Sequence, residues 1–258
     1  MSGLVPHRRS GGPPAPGSGA DSQVPGSATA AAPSTARAAT GRNLAALAVK
    51  AWRVRGHGAD LVPREGPVVL VANHAGVLDG VLVAARCPRP VHVLVSADLA
   101  VPPFTHLLAT TGQIPMSSAY PDRVSLRAAS AVLGGGGVVA LFPEGEAGAG
   151  DVRHAHHGAA YLALTCGAPV VPVAVLGSRP RGARRDALPR LRSAVDVVFG
   201  APVLLRPEGD PRRRAVLTGA GERVRQLLAD HVGAAMAATG QTLPGPPPLP
   251  DTPRRSHT

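Results

Sequence analysis

Aromatic residues are almost missing from this chain of 258 residues: Phe, Tyr and Trp together make up 2%. Platforms for nucleic-acid bases are built from stacked aromatic rings, and no zinc-finger or RRM signature is present, so nucleic acid is not an expected partner. Cysteine is nearly as scarce. Cys87 and Cys166 cannot build a disulfide framework and belong to no C-x-x-C pair, which fits two small, buried or half-buried thiols in a reducing, cytosolic setting. No run reaches the roughly 18 uninterrupted apolar residues of a spanning helix; the best candidate is broken by Asn73, His74 and Asp79. The expectation is a soluble or peripheral protein. The G-x-S-x-G nucleophile elbow is absent too. Gly134 to Gly137 is followed by no Gly-Lys-Ser/Thr, so that run reads as a helix terminator and turn, not a phosphate cradle.

Positive charge, in contrast, is abundant. The formal net charge is +11, carried almost wholly by arginine, which favours acidic partners: coenzyme A, acyl carrier protein, phosphorylated metabolites or an anionic membrane. Residues 1–41 are rich in Gly, Pro, Ser and Ala without hydrophobic periodicity and are expected to be a disordered tail; 241–258, with Pro246-Pro-Pro-Leu-Pro250, is expected to be another. Between them, 42–240 is expected to be one domain. It comprises an amphipathic helix over 42–56, a core over 63–205 and a terminal helix over 211–238. In the first helix Leu44, Leu47, Ala48, Ala51 and Trp52 share a face flanked by Lys50 and Arg53. Such a helix either rests on an anionic membrane or packs on its own domain.

The core alternates. Apolar runs at Val68, Val91, Val138, Val170 and Ala194 read as strands. Helical stretches are expected at Leu78–Arg86, Phe104–Ala109, Asp122–Leu133 and His154–Cys166. Strands alternating with helices predict an α/β fold, a single domain with a largely parallel central sheet flanked by helices.

Two strand ends carry the chemistry. Pro67 to Ala72 runs into Asn73-His74, with Asp79 in the first turn of the next helix. Ligands gather outside the carboxyl ends of such strands. An Asp folded back onto the imidazole would fix its tautomer and free Nε2 as a base. The alternative is a helix-start His with a first-turn carboxylate favoured by the helix dipole. The second end is Phe142-Pro143-Glu144-Gly145.

Together these motifs resemble the glycerolipid acyltransferase family, typified by 1-acylglycerol-3-phosphate acyltransferases. Asn73, His74 and Asp79 match its first motif, Phe142 to Gly145 its third and Ala168 to Ala174 its fourth. The second is half present as Gly112 to Met116, and the resemblance covers roughly residues 45 to 205.

The resemblance implies transfer of an acyl group from acyl-CoA or acyl-ACP to the hydroxyl of a lysolipid such as 1-acylglycerol-3-phosphate. It implies no metal or other cofactor, and a cytoplasmic enzyme held peripherally at the inner face of the plasma membrane. His74 and Asp79 would be catalytic; Asn73, Pro143, Glu144 and Gly145 would serve acceptor binding and site architecture. A hydrolase using His74 on water and a silent lipid-binding protein are the competing readings.

The chain departs from the family pattern where Glu146 and Ala147 follow Gly145 in place of Thr-Arg. It departs again where Ser117 and Ser118 replace the arginine closing the second motif. Either Arg123, Arg153 and Arg179, the nearest in sequence, substitute for the missing phosphate-binding guanidinium groups, or the preferred acceptor lacks a phosphate monoester. The arginine-rich loop from Gly177 to Ser193 either grips an anion or is merely solvated. His154, His156 and His157 read as a solvated helix start and not as a metal site.

Overall fold

The computed structural model describes residues 33–96, 110–116, 122–207, 209–210 and 213–248. In chain order the elements are α1 Thr35–Ala48, β1 Arg53–His57, β2 Val68–Ala72, α2 Asp79–Arg86, β3 Val91–Ser96 and β4 Ile114–Met116. There follow α3 Arg123–Gly134, β5 Val138–Leu141, α4 Gly158–Cys166, β6 Val170–Leu176, β7 Ala194–Phe199 and α5 Arg214–Thr239. The expected helix at Phe104–Ala109 lies outside the described residues.

The strands form a seven-stranded sheet in the order β1-β7-β6-β2-β5-β3-β4. Every pairing is parallel except β6 with β7. The expected α/β class and the largely parallel sheet are therefore observed.

The central strands are apolar on both sides because both faces are covered. Along β2, Val68, Leu70 and Ala72 join a core containing Leu82 and Val83 of α2. Val69 and Val71 point the other way, into a core built with α3 and α4. A third cluster seats Leu228 and Val232 of α5 against Ala174 and Leu176 of β6. Local signals bound the helices: Asp122 Oδ1 caps α3 by accepting the Ser125 N–H at 2.7 Å, and α4 stops at Gly167, in the left-handed region.

The boundaries differ at both ends of the chain. Helix α1 starts at Thr35, inside the expected 1–41 tail. Its buried residues are small, Ala38, Gly41 and Ala45, so it carries little hydrophobic signal and is stabilised by close packing on the rest of the domain. The expected 42–56 helix also breaks early. A 3₁₀ turn over Val49–Ala51 leads into β1, an edge strand in which only Val54 is buried. Trp52 is half-buried, packed on the core, with its indole N–H donating to Pro189 O at 2.9 Å. Of the two readings of this segment, Trp52 itself follows the one in which the helix packs on its own domain.

At the other end, α5 runs without a break through Gly219 and Gly221. Residues 241–248, expected to be disordered, lie against the domain: Gln241 Nε2 donates to Asp196 Oδ2 at 2.9 Å, Pro244 is buried, and Pro244 O accepts the Gly182 N–H at 3.1 Å. Proline-rich composition hid this, because a single buried ring and a few hydrogen bonds leave no periodic pattern.

Candidate active site

Strands β2 and β5 are parallel neighbours with Val71 opposite Leu141. Their register brings the residues that follow them, Asn73-His74 and Pro143-Glu144, out at the same sheet edge. Asn73 does not reach toward a ligand. It is fully buried, its Oδ1 accepts the Val175 N–H at 2.7 Å, and its Nδ2 donates to Val175 O at 3.1 Å. It thus continues the β2–β6 ladder by one step, which corrects its expected substrate-binding role.

Beyond Asn73 the chain folds around one carboxylate oxygen. Asp79 Oδ2 accepts the main-chain N–H groups of Ala75 at 2.7 Å and Gly76 at 2.8 Å, and lies 2.9 Å from His74 Nδ1. An oxygen that already accepts two donors accepts the third as well, so Nδ1 carries the proton and Nε2 presents its lone pair. Nε2 makes no hydrogen bond among the described residues. Glycine at 76 lets the turn pack closely: a Cβ there would lie 3.2 Å from Arg179 Cβ and 3.3 Å from Ser178 O, so that the Arg179 loop would have to give by a few tenths of an ångström. Asp79 is fully buried, and its Oδ1 has no hydrogen-bond partner among the described residues.

The β5 turn holds the histidine from the other side. Glu144 Oε1 accepts the main-chain N–H of His74 at 2.7 Å, while His74 O accepts from Gly148 N–H at 2.8 Å. The Phe142 ring lies 4.5 Å from the imidazole, centroid to centroid. Burial pushes the Glu144 carboxyl up to about 7 against the opposing hydrogen bond from His74. Gly145 sits in the left-handed region at φ 82°, and its N–H closes the turn onto Phe142 O at 3.0 Å. That amide is therefore committed to the turn.

His74, Pro143 and Gly145 line a cavity of about 600 Å³. Its walls are mainly aliphatic, drawn from α1 (Leu44), α2 (Val81), β3 (Val93), β4 (Met116) and the start of α4 (Ala159). Volume and lining suit an acyl chain ending at the imidazole.

The three expected phosphate-binding arginines are not on that lining. Arg123 is exposed on the first turn of α3, and Arg153 is 80% exposed and paired with Asp151 at 2.7 Å. Arg179 is buried, with four of its five N–H groups bonded to main-chain oxygens. Nε donates to Ala75 O at 2.6 Å, Nη2 to Gly148 O at 2.8 Å and Gly245 O at 2.6 Å, and Nη1 to Ala183 O. It fastens both active-site loops and the carboxyl-terminal segment, so its place in the fold is that of a clamp and not of a cation presented to the cavity.

His156 is the residue that sequence reasoning missed. It lines the cavity, its main-chain N–H donates to Pro143 O at 2.7 Å, and burial holds its ring below the usual histidine range, with His157 and His154 adding to the shift. Its place in a run of three histidines suggested solvent; the Pro143 contact that turns it inward leaves no trace in spacing. No group of metal-ligating side chains occurs among the described residues.

Residues 53–176 match the family model described as Acyltransferase. Uncharacterized proteins of Mycobacterium bovis and Mycobacterium tuberculosis are 32% identical over 145 residues, covering 50% of this chain and 39% of theirs. The chain thus spans well under half the length of these curated relatives. The crystal structure of the 1-acyl-sn-glycerophosphate acyltransferase PlsC from Thermotoga maritima shares the fold. Its TM-score is 0.59 at 20% identity, covering 78% of this chain and 80% of that one.

Proposed function

Because residues 53–176 belong to the acyltransferase family, we propose that this chain moves a fatty acyl group from a thioester of coenzyme A or acyl carrier protein to the hydroxyl of a lysolipid. The observation that carries the reading is the His74–Asp79 pair, 2.9 Å apart, with His74 on the wall of an apolar cavity of about 600 Å³ and Asp79 buried behind it. Asp79 holds the Nδ1 proton and stabilises the imidazolium, leaving Nε2 to act as base. The acceptor hydroxyl, within about 2.6–3.2 Å of Nε2, gives up its proton as its oxygen attacks the thioester carbonyl. The tetrahedral intermediate collapses, the C–S bond breaks, and the imidazolium returns the proton to the leaving sulfur. No covalent acyl-enzyme is needed. Glu144 acts by fixing the main chain of His74.

The acceptor in the name of PlsC, 1-acyl-sn-glycerophosphate, is the first candidate here. A neutral acceptor such as a monoacylglycerol is the second reading. It is favoured by Arg179, which is buried with four of its five N–H groups on main-chain carbonyls; Glu146, beside the Gly145 turn, is paired with Arg185.

The test is mass spectrometry of the products after mixing the protein with acyl-CoA or acyl-ACP and a panel of lysolipids. A diacylated product is expected. Free fatty acid alone would mean a hydrolase, and lipid retained without turnover would mean a binding protein.

A further inference from the structure

A second cavity, of about 370 Å³, opens at the carboxyl end of α2 and shares no lining residue with the one that holds His74. The packed pair α1 and α2 contributes to both: Ala45 and Ala84 line the first, Ala46 and Ala85 the second. The polar part of the second lining is Lys50, Trp52, Arg53 and Arg86.

The three cations have nothing to neutralise them. Lys50, Arg53 and Arg86 make no side-chain hydrogen bond and no ion pair among the described residues, and no acidic residue among these lines the cavity. Elsewhere on the domain Arg55, Arg153, Arg185 and Arg225 are each paired with a carboxylate. Arg86 carries the sharpest sign. The stem of its side chain lies along β1, with Cδ 3.4 Å from where a Cβ on Gly56 would sit, and its Nε is buried without a partner. The last turn of a helix favours a cation, which accounts for the charge. It does not account for a buried donor without an acceptor. An anion in the cavity supplies that acceptor and relieves the crowding of like charge.

Trp52 adds a second chemistry. Its indole lines the cavity and is fixed by the bond from Nε1 to Pro189 O at 2.9 Å. Guanidinium groups meet phosphate oxygens bidentately, and a fixed indole stacks on a flat ring. We propose that this cavity is a second binding site, for a nucleotide, held through its phosphates by Lys50, Arg53 and Arg86 and through its ring by Trp52. Two sources carry that chemistry: a free nucleotide, and the adenosine phosphate end of coenzyme A. The site does not rest on the transferase reading, and its occupancy is measured without turnover.

Trp52 is the single tryptophan of the chain, so its fluorescence reports on this cavity. The test is titration of the full chain with ADP, coenzyme A, pyrophosphate and adenosine, followed by Trp52 emission and by calorimetry. ADP is expected to change the emission saturably. Arg86→Gln and Lys50→Gln should keep the wild-type melting curve and each weaken ADP binding about tenfold or more. Pyrophosphate lacks the ring and adenosine lacks the phosphates, so each should bind at least about tenfold more weakly than ADP.

The proposal is overturned if neither ADP nor coenzyme A alters the emission or the calorimetric signal. It is overturned as well if the folded Arg86→Gln and Lys50→Gln variants bind ADP as wild type does, or if pyrophosphate or adenosine matches ADP. Coenzyme A that displaces ADP, or binds where ADP does not, assigns the site to the nucleotide end of the acyl donor. Coenzyme A that leaves bound ADP in place assigns it to a free nucleotide. A wild type that binds ADP but transfers no acyl group would sink the transferase reading and leave this site standing.

Discussion

The main-chain N–H of His74 and Oε1 of Glu144 lie 2.7 Å apart, joining the residue that leaves β2 to the one that leaves β5. Neighbouring parallel strands deliver the two residues, and this bond converts their proximity into a fixed orientation of the histidine. The two motifs are therefore one mechanical unit, and each can be disturbed separately.

His74→Ala is expected to leave a folded protein whose acyl transfer falls by about 10²–10⁴-fold, the usual worth of a general base. Asp79→Asn should be nearly as damaging, because an amide cannot accept from Nδ1–H and from two main-chain donors with the same geometry. Steady-state kinetics with circular dichroism as the folding control decides. Turnover close to wild type in purified His74→Ala would remove this site from consideration.

Glu144 gives the fold a pH dependence of predictable sign. Its carboxyl is raised in the folded state to about 7 from the ordinary 4.5, chiefly by burial. The folded chain then holds the proton more tightly than the unfolded one. The stabilisation is complete below about pH 4.5 and is lost as the pH rises toward 7. Thermal melts between pH 5 and 8 should show a falling Tm in wild type and a flatter profile in Glu144→Gln. Parallel profiles for the two proteins would contradict the assignment.

Arg179 is a structural clamp, and its variants should behave as such. Arg179→Ala strands the carbonyls of Ala75, Gly148, Ala183 and Gly245, so a loss of at least about 1–3 kcal/mol in unfolding free energy is expected. Lysine cannot restore a planar fork that meets four acceptors, so Arg179→Lys should rescue only a small part. Denaturant titration measures both. A folded Arg179→Ala with normal stability and a raised KM for a phosphate-bearing acceptor would instead restore this arginine to substrate binding.

The legible part of this molecule was its middle. Long β-branched runs such as Val68–Ala72 and Val170–Leu176 announced buried strands because both faces of the sheet are covered, and the register of β2 with β5 made two distant motifs one site. What sequence could not show were features that depend on partners. Asn73 reads as a motif residue, yet its amide serves as a rung of the ladder to Val175. Arg179 reads as a free cation until its carbonyl partners are known. Helix α1 begins within a Gly- and Ala-rich stretch whose small side chains matter only against the surface they touch. His156 was assigned to solvent because nothing local predicts the bond from its main chain to Pro143.

The acceptor's charge can be tested through the two arginines that the fold leaves outside the cavity. Arg123 is exposed at the start of α3, and Arg153 is 80% exposed and paired with Asp151. Neither lines the cavity that holds His74. Surface pairs of this kind contribute little, so Arg123→Ala and Arg153→Ala are expected to change KM for lysophosphatidate by no more than about twofold, and for monoacylglycerol not at all. A charge-assisted hydrogen bond to a phosphate is worth about 1.5–3 kcal/mol, so a true phosphate ligand would show itself as a loss of roughly ten- to a hundredfold. If the cavity takes a neutral acceptor, wild type should turn over monoacylglycerol at least as well as lysophosphatidate, in kcat/KM measured with the same acyl thioester. A strong preference for lysophosphatidate that collapses in Arg123→Ala or Arg153→Ala would mean that one of these side chains reaches the site during turnover, against its position in this structure.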